Sequence, residues 1–126
     1  MSSPSDDDTE TDYRVIQTTA IPQVQTVHFY DETMEHITKG HAEFRTWIPS
    51  LEHAVADTVS NPTTVYRSRT LPETSVVFES SNNTLEGNPC TVPVRIISDS
   101  TSARVTTAMF KKGKHGDVLW SAGDDG

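Results

Sequence analysis

The sequence predicts an α+β domain, with two N-terminal helices packed on one face of a curved four- to five-stranded antiparallel sheet. Three observations lead there. Apolar residues recur at helical intervals between residues 31 and 60. β-Branched residues alternate with other types beyond Pro62, and clusters of turn-forming residues separate those later runs. The 126 residues suffice for one domain, and a hydrophobic content of 33% limits it to a modest core.

Residues 1–12, Met-Ser-Ser-Pro-Ser-Asp-Asp-Asp onward, are expected to be a disordered acidic tail, because they offer almost nothing apolar to bury. Residues 13–26 carry scattered apolar side chains with Thr-Thr and Pro punctuation and read as an extended arm. The folded domain is placed at 27–120 and a short acidic tail at 121–126. Residues 25–30 form a strand candidate in which Val27 and Phe29 alternate. Asp31 and Glu32 then suit the positive end of a helix, and Gly40 suits its end. A second helix follows from Ile48, Leu51, Val55 and Val59, with Pro49 in its first turn. It should stop at Ser60-Asn61-Pro62, because a residue before proline resists the helical region. Strands are expected at 64–69, 74–79, 91–97, 104–110 and 118–120. The connections between them contain Leu71-Pro72, Ser80-Ser81-Asn82-Asn83, Asp99-Ser100-Thr101 and a Lys/Gly turn at 112–116.

The formal charge is −8, but it is unevenly spread. Segment 13–123 holds all 10 Lys and Arg against 11 of the 18 Asp and Glu, a formal charge of −1. A local basic patch can therefore attract phosphate while the distal tails are screened beyond about 10 Å at moderate salt. The acidity, the Thr, Val and Asp enrichment and the four lysines resemble proteins of salt-loving organisms. A single cysteine, Cys90, excludes an internal disulfide and a cysteine-based zinc cluster, and its place in a turn entering a strand makes it a structural thiol. No apolar run approaches the ~18 residues of a membrane span. The N-terminus lacks the basic and apolar blocks of a secretory signal, so the expected setting is the cytoplasm, with no membrane partner.

Among five histidines, His36 and His41 stand five apart, about 140° around an ideal helix, which is wrong for a zinc pair. With Gly40 breaking the helix, His41 can fold back beside His36, an arrangement suited to an acid/base pair. Two ordinary histidines around a helix end are the alternative. Arg67 and Arg69 flank Ser68 and, as strand residues, would share one face, where paired guanidiniums could hold a phosphate. Lys111, Lys112 and Lys114 make a basic turn. On the strand at 104–110, Thr107 would lie with Val105 and Met109, and Thr106 with Arg104, Ala108 and Phe110. His28, His53 and His115 offer less, and Trp120 reads as an anchor for the last strand.

Taken in order, these elements resemble a known family. His36-Ile37-Thr38-Lys39-Gly40-His41 precedes an amphipathic helix that ends in Asn-Pro. A strand Val65-Tyr66-Arg67-Ser68 follows, then Val105-Thr106-Thr107-Ala108-Met109-Phe110 and a closing Gly116 to Trp120. The combination resembles the phage-associated branch of the barnase–EndoU–colicin–RelE superfamily of small ribonuclease-like domains, several of them toxins. The resemblance implies an RNA substrate, cleavage by 2′-hydroxyl attack, no metal and no cofactor, and an antitoxin or immunity protein as partner. It points to His36, His41 and Thr107 as catalytic and to Arg67 and Ser68 as binding the substrate, to which the paired-arginine and basic-turn readings add Arg69 and Lys111. A non-catalytic member acting as an adaptor or small regulator is the alternative it leaves open.

Overall fold

A computed structural model describes residues 12–40, 51–112 and 115–122. It opens with a hairpin, β1 (Tyr13–Ile21) and β2 (Val24–Tyr30), which runs directly into helix α1 (Asp31–Gly40). Helix α2 (Leu51–Ser60) follows, then β3 (Thr64–Arg67), β4 (Ser75–Leu85), β5 (Asn88–Ile96), β6 (Ser102–Val105), β7 (Met109–Phe110) and β8 (Val118–Ser121).

The sheet corrects the expected fold class. It has eight strands rather than four or five, in the order β1-β2-β6-β5-β4-β3-β8 with β7 beside β5. It is also mixed, because β2 and β6 pair in parallel. The helices do not lead the domain but are inserted between β2 and β3. The segment expected as an arm is β1 and the start of β2, paired from Tyr13↔Tyr30 to Gln17↔Thr26. A buried Thr18 occupies an inward position in β1, so the strand lacks the clean apolar alternation that would mark it in sequence.

Helix α2 touches β1 at one edge of the sheet and the neighbouring strands β4 and β5 in its middle, and the two edge strands β1 and β8 touch each other. The sheet therefore curls round α2 as a half-barrel. The core fills the space between, with Phe29, Phe78, Ile37, Val55, Val59, Val65, Val92, Val94 and Val105 almost completely buried. Trp120 packs against this core from the last strand. Arg14 ties the hairpin to both helices, through Nε to Glu52 Oε2 at 2.6 Å and Nη1 to Asp31 Oδ1 at 3.0 Å.

Two further differences shape the outer face. The expected loop at 80–89 is mostly strand: β4 runs on to Leu85 and turns back through Glu86 and Gly87, with φ of 54° and 84°. Two consecutive positive φ values are those of a tight type I′ hairpin turn. The expected single strand 104–110 is broken between β6 and β7 at residues 106–108. Pro93 accounts for the break. Thr106 N–H donates to Pro93 O at 3.0 Å, and Pro93 has no N–H to return the bond. Pairing resumes one residue out of register, from Val94↔Val105 to Thr91↔Met109.

Candidate functional site

The strands present their alternate residues to an outer face, away from the helices. Cross-strand register places Tyr13, His28, Arg104, Arg95, Ser75, Val77, Glu79 and Tyr66 on it, whereas their strand neighbours Val27, Ala103, Val94, Val76, Phe78 and Val65 enter the core. Glu79 is the one carboxylate among the residues of the eight strands, against Arg14, Arg67, Arg95 and Arg104. The acidic residues of the described chain otherwise lie on the helices, in turns and before β1.

At the β3–β4–β5 end of this face lies a cleft of about 560 Å³. Arg69, Arg95 and Lys111 bring three cations to it, all exposed, with His115, Thr91 and Thr106 supplying further polar groups. Val77, Pro93, Met109 and Leu71 give it apolar walls. Cations around a partly apolar cleft suit an anion attached to an organic group, such as a phosphodiester.

His115 joins the cleft to a cluster behind it. Tyr66 Oη donates to Glu79 Oε1 at 3.1 Å, and His115 Nε2 lies 3.7 Å from Glu79 Oε2. The Tyr66 and His115 rings are 4.6 Å apart. Burial, and then the Glu79 charge and hydrogen bond, hold the Tyr66 hydroxyl above its usual pKa, so it remains the donor. His115 Nε2 is buried and has no hydrogen-bond partner among the described residues. The Glu79 carboxylate, at 3.7 Å, lies just beyond hydrogen-bond reach of that nitrogen. Gly116 N–H donates to Arg67 O at 2.9 Å and Arg67 N–H to Asp117 O at 2.7 Å, which fixes the segment carrying His115 to the end of β3.

A neighbouring depression of about 360 Å³ is lined by Glu32, Thr33, Glu35, His36, Lys39 and Thr106. Topology explains the meeting. Strands β2 and β6 run in parallel, so α1, which starts where β2 stops, lies beside the end of β6 at Thr106. Thr106 is therefore the shared wall of the depression holding His36 and the cleft holding His115.

Of the residues singled out in sequence, Arg69, Ser68 and Lys111 line the cleft. Ser68 is nearly buried, and its Oγ accepts the Leu71 N–H at 3.0 Å, closing the turn that raises one wall. Arg67 does not line the cleft, because β3 ends there and its guanidinium donates to Pro72 O at 3.1 Å. Arg67 and Arg69 thus part company rather than sharing a face. Thr107, half-buried, lines neither depression; the register shift leaves Thr106 outward with Arg104 and turns Met109 outward after it. His36 is exposed in its own depression, and His41 and Lys114 lie outside the described residues. Among the described residues no group of three or more His, Cys, Asp and Glu is placed to hold a metal ion. No described helix is long and apolar enough to cross a membrane. Cys90 is buried, and burial pushes its thiol up to about 11, which makes it a poor nucleophile.

Sequence reasoning passed over Arg95, Glu79 and Tyr66 and gave little to His115. The available signal was partial: Glu79 is a polar position between two buried ones, and Tyr66 and Arg95 each follow a buried valine. Comparison of the chain with models of known families, with curated proteins and with solved structures finds no match.

Proposed function

We propose that this protein is a ribonuclease-type domain that holds a phosphodiester of RNA in the outer-face cleft and cleaves it by attack of the 2′-hydroxyl. The observation that carries the reading is the cleft itself, which Arg69, Arg95 and Lys111 line together with His115, whose Nε2 lies 3.7 Å from the Glu79 carboxylate. The ordered sequence motifs lend it support. In such a reaction a histidine takes the 2′-hydroxyl proton as the 2′-oxygen bonds to phosphorus. The P–O5′ bond breaks, the leaving 5′-oxygen takes a proton, and a 2′,3′-cyclic phosphate remains. The chemistry needs one proton acceptor, one proton donor and stabilisation of the charged phosphorane. His115 and His36, on either side of Thr106, are the proposed proton-transfer groups, and the three cations are the proposed phosphorane stabilisers. An antitoxin or immunity protein covering the cleft would be the matching regulator.

The test is incubation of end-labelled single-stranded RNA with the purified protein in EDTA, beside His115→Ala, His36→Ala and Arg69→Ala/Arg95→Ala. Cyclic-phosphate ends should form, and loss of one histidine should slow their formation by roughly 10²-fold or more. Cleavage that survives both histidine substitutions unchanged would remove them from the mechanism. No cleavage at low or high salt would leave the domain without this activity.

A further inference from the structure

The other half of the outer face carries an aromatic cluster that the cleft does not use. Tyr13 of β1 and Tyr30 of β2 are register partners whose rings are 5.0 Å apart, and His28 lies 4.7 Å from Tyr13. The guanidinium of Arg104 sits 4.5 Å over the Tyr30 ring. Arg104 is in turn the cross-strand neighbour of Arg95, which lines the cleft. From the sheet edge inward the order is therefore aromatic rings, Arg104, Arg95 and the cleft. At a strand spacing of about 4.8 Å this path covers about 14 Å.

Cross-strand aromatic pairs stabilise hairpins, and that alone accounts for the ring contacts. It does not account for the rest. Tyr13 remains 45% exposed and Val15 beside it 52% exposed. Two arginines continue the line, and the strands forming the face contain a single carboxylate, Glu79, already bonded to Tyr66. Flat rings alternating with guanidiniums along a carboxylate-poor sheet match the chemistry of an unpaired nucleic-acid strand, whose bases stack while its phosphates meet arginine.

We propose that Tyr13, His28, Tyr30 and Arg104 form a stacking platform for unpaired bases of single-stranded RNA, whose backbone continues past Arg95 into the cleft. The proposal rests on the reading of the cleft as an RNA site and adds to it a substrate class, single strands rather than duplex. A duplex keeps its bases stacked on one another and offers none to Tyr13.

Binding of a fluorescent, uncleavable 2′-O-methyl RNA octamer, read by anisotropy, separates the platform from the cleavage chemistry. Tyr13→Leu and Arg104→Gln should each weaken single-strand binding by roughly 5- to 100-fold. Tyr13→Phe should bind as wild type, because the ring rather than the hydroxyl stacks. His53→Ala, an exposed change on α2, serves as the control, and thermal melts confirm that each variant is folded. Duplex of the same sequence should bind weakly and show no dependence on Tyr13. Wild-type affinity in folded Tyr13→Leu and Arg104→Gln would overturn the platform, even if Arg69→Ala abolishes binding and RNA is cleaved. Loss of binding in these variants from a protein that cleaves no RNA would uphold the platform and overturn the ribonuclease reading. Failure of the wild type to bind any single strand would overturn both.

Discussion

Replacing Gly116 by alanine should detach His115 from the cluster that orients it. A Cβ built on Gly116 collides with the carbonyl oxygen of Arg67 and lies 3.1 Å from its carbon and 3.2 Å from Ser68 O. All three atoms belong to backbone at the end of β3, so no side chain can swing aside. The 115–117 segment must move instead. That motion breaks or lengthens the bonds Gly116 N–H to Arg67 O and Arg67 N–H to Asp117 O. At about 1 kcal/mol net for each bond, the expected loss of stability is about 2 kcal/mol. Urea denaturation should show the midpoint falling with an unchanged slope. The histidine ring protons of His115, 4.6 Å from the Tyr66 ring, should change chemical shift in the folded variant, and RNA cleavage should drop with them. Gly40→Ala is the matched control, because a Cβ there meets nothing within 4 Å. An unfolding free energy within roughly 0.3 kcal/mol of wild type, with the His115 signals unmoved, would refute the claim that this close approach holds the histidine in place.

Three other perturbations follow from the same contacts. With the Cys90 thiol raised from 9.0 to about 11 by burial, the folded and unfolded states differ in protonation only above about pH 9. Stability should be intact below that, then fall between pH 9 and 11 by about 2–3 kcal/mol; urea titrations at pH 8 and 10.5 should show this, and Cys90→Ala should flatten the slope. Glu79→Gln removes the negative charge beside Tyr66 and should lower the Tyr66 pKa toward its ordinary value, leaving the share due to burial. An ultraviolet titration of tyrosinate in which the last tyrosine did not move would contradict this. Glu86 adopts a positive φ of 54° ahead of Gly87, so Glu86→Asn should stabilise the hairpin by roughly 0.5–1 kcal/mol, read as a higher urea midpoint.

Much of the secondary structure was legible: β2, α1, β3 and β8 lie close to their expected positions, and in β2 the buried residues are the alternating apolar ones. One group of misses comes from polar residues buried inside strands. Ser80-Ser81-Asn82-Asn83 reads as a loop, yet Ser80 and Asn83 are buried in β4. Asn83 Nδ2 donates to Ser80 Oγ at 2.9 Å and to Asp57 Oδ2 of α2 at 2.7 Å, and the second partner is one that no local pattern reveals. Thr18 hid β1 by being a polar residue at a buried position, where its Oγ1 accepts the Ala20 N–H at 3.5 Å. The error at Thr106 and Thr107 is of another kind. Period-two reasoning assigns faces correctly only while the register holds, and Pro93, on the preceding strand β5, ends that register. The placement of Arg69 and Lys111 at the cleft was within reach of the sequence. Their meeting with Arg95 and His115 was not, because it depends on strand order.

The partition of charge also changes what the acidity of the chain means. A net charge of −8 would oppose RNA binding if it were uniform, but the described carboxylates lie on helices, in turns and before β1, and the one on a strand is engaged by Tyr66. Arg69, Arg95, Arg104 and Lys111 supply the positive charge of the outer face. With screening over about 8 Å at physiological ionic strength carboxylates farther off weigh little, whereas Asp12 and Asp31 adjoin its Tyr13–Tyr30 end. The same screening weakens contacts between those cations and phosphate as salt rises. Stacking on Tyr13 and on the Arg104 guanidinium does not rely on counterion release. A face built from rings as well as arginines therefore keeps part of its affinity where a purely basic face would lose it. The salt dependence of single-strand binding should accordingly be shallow, with Tyr13→Leu costing relatively more of the remaining affinity at high salt than at low.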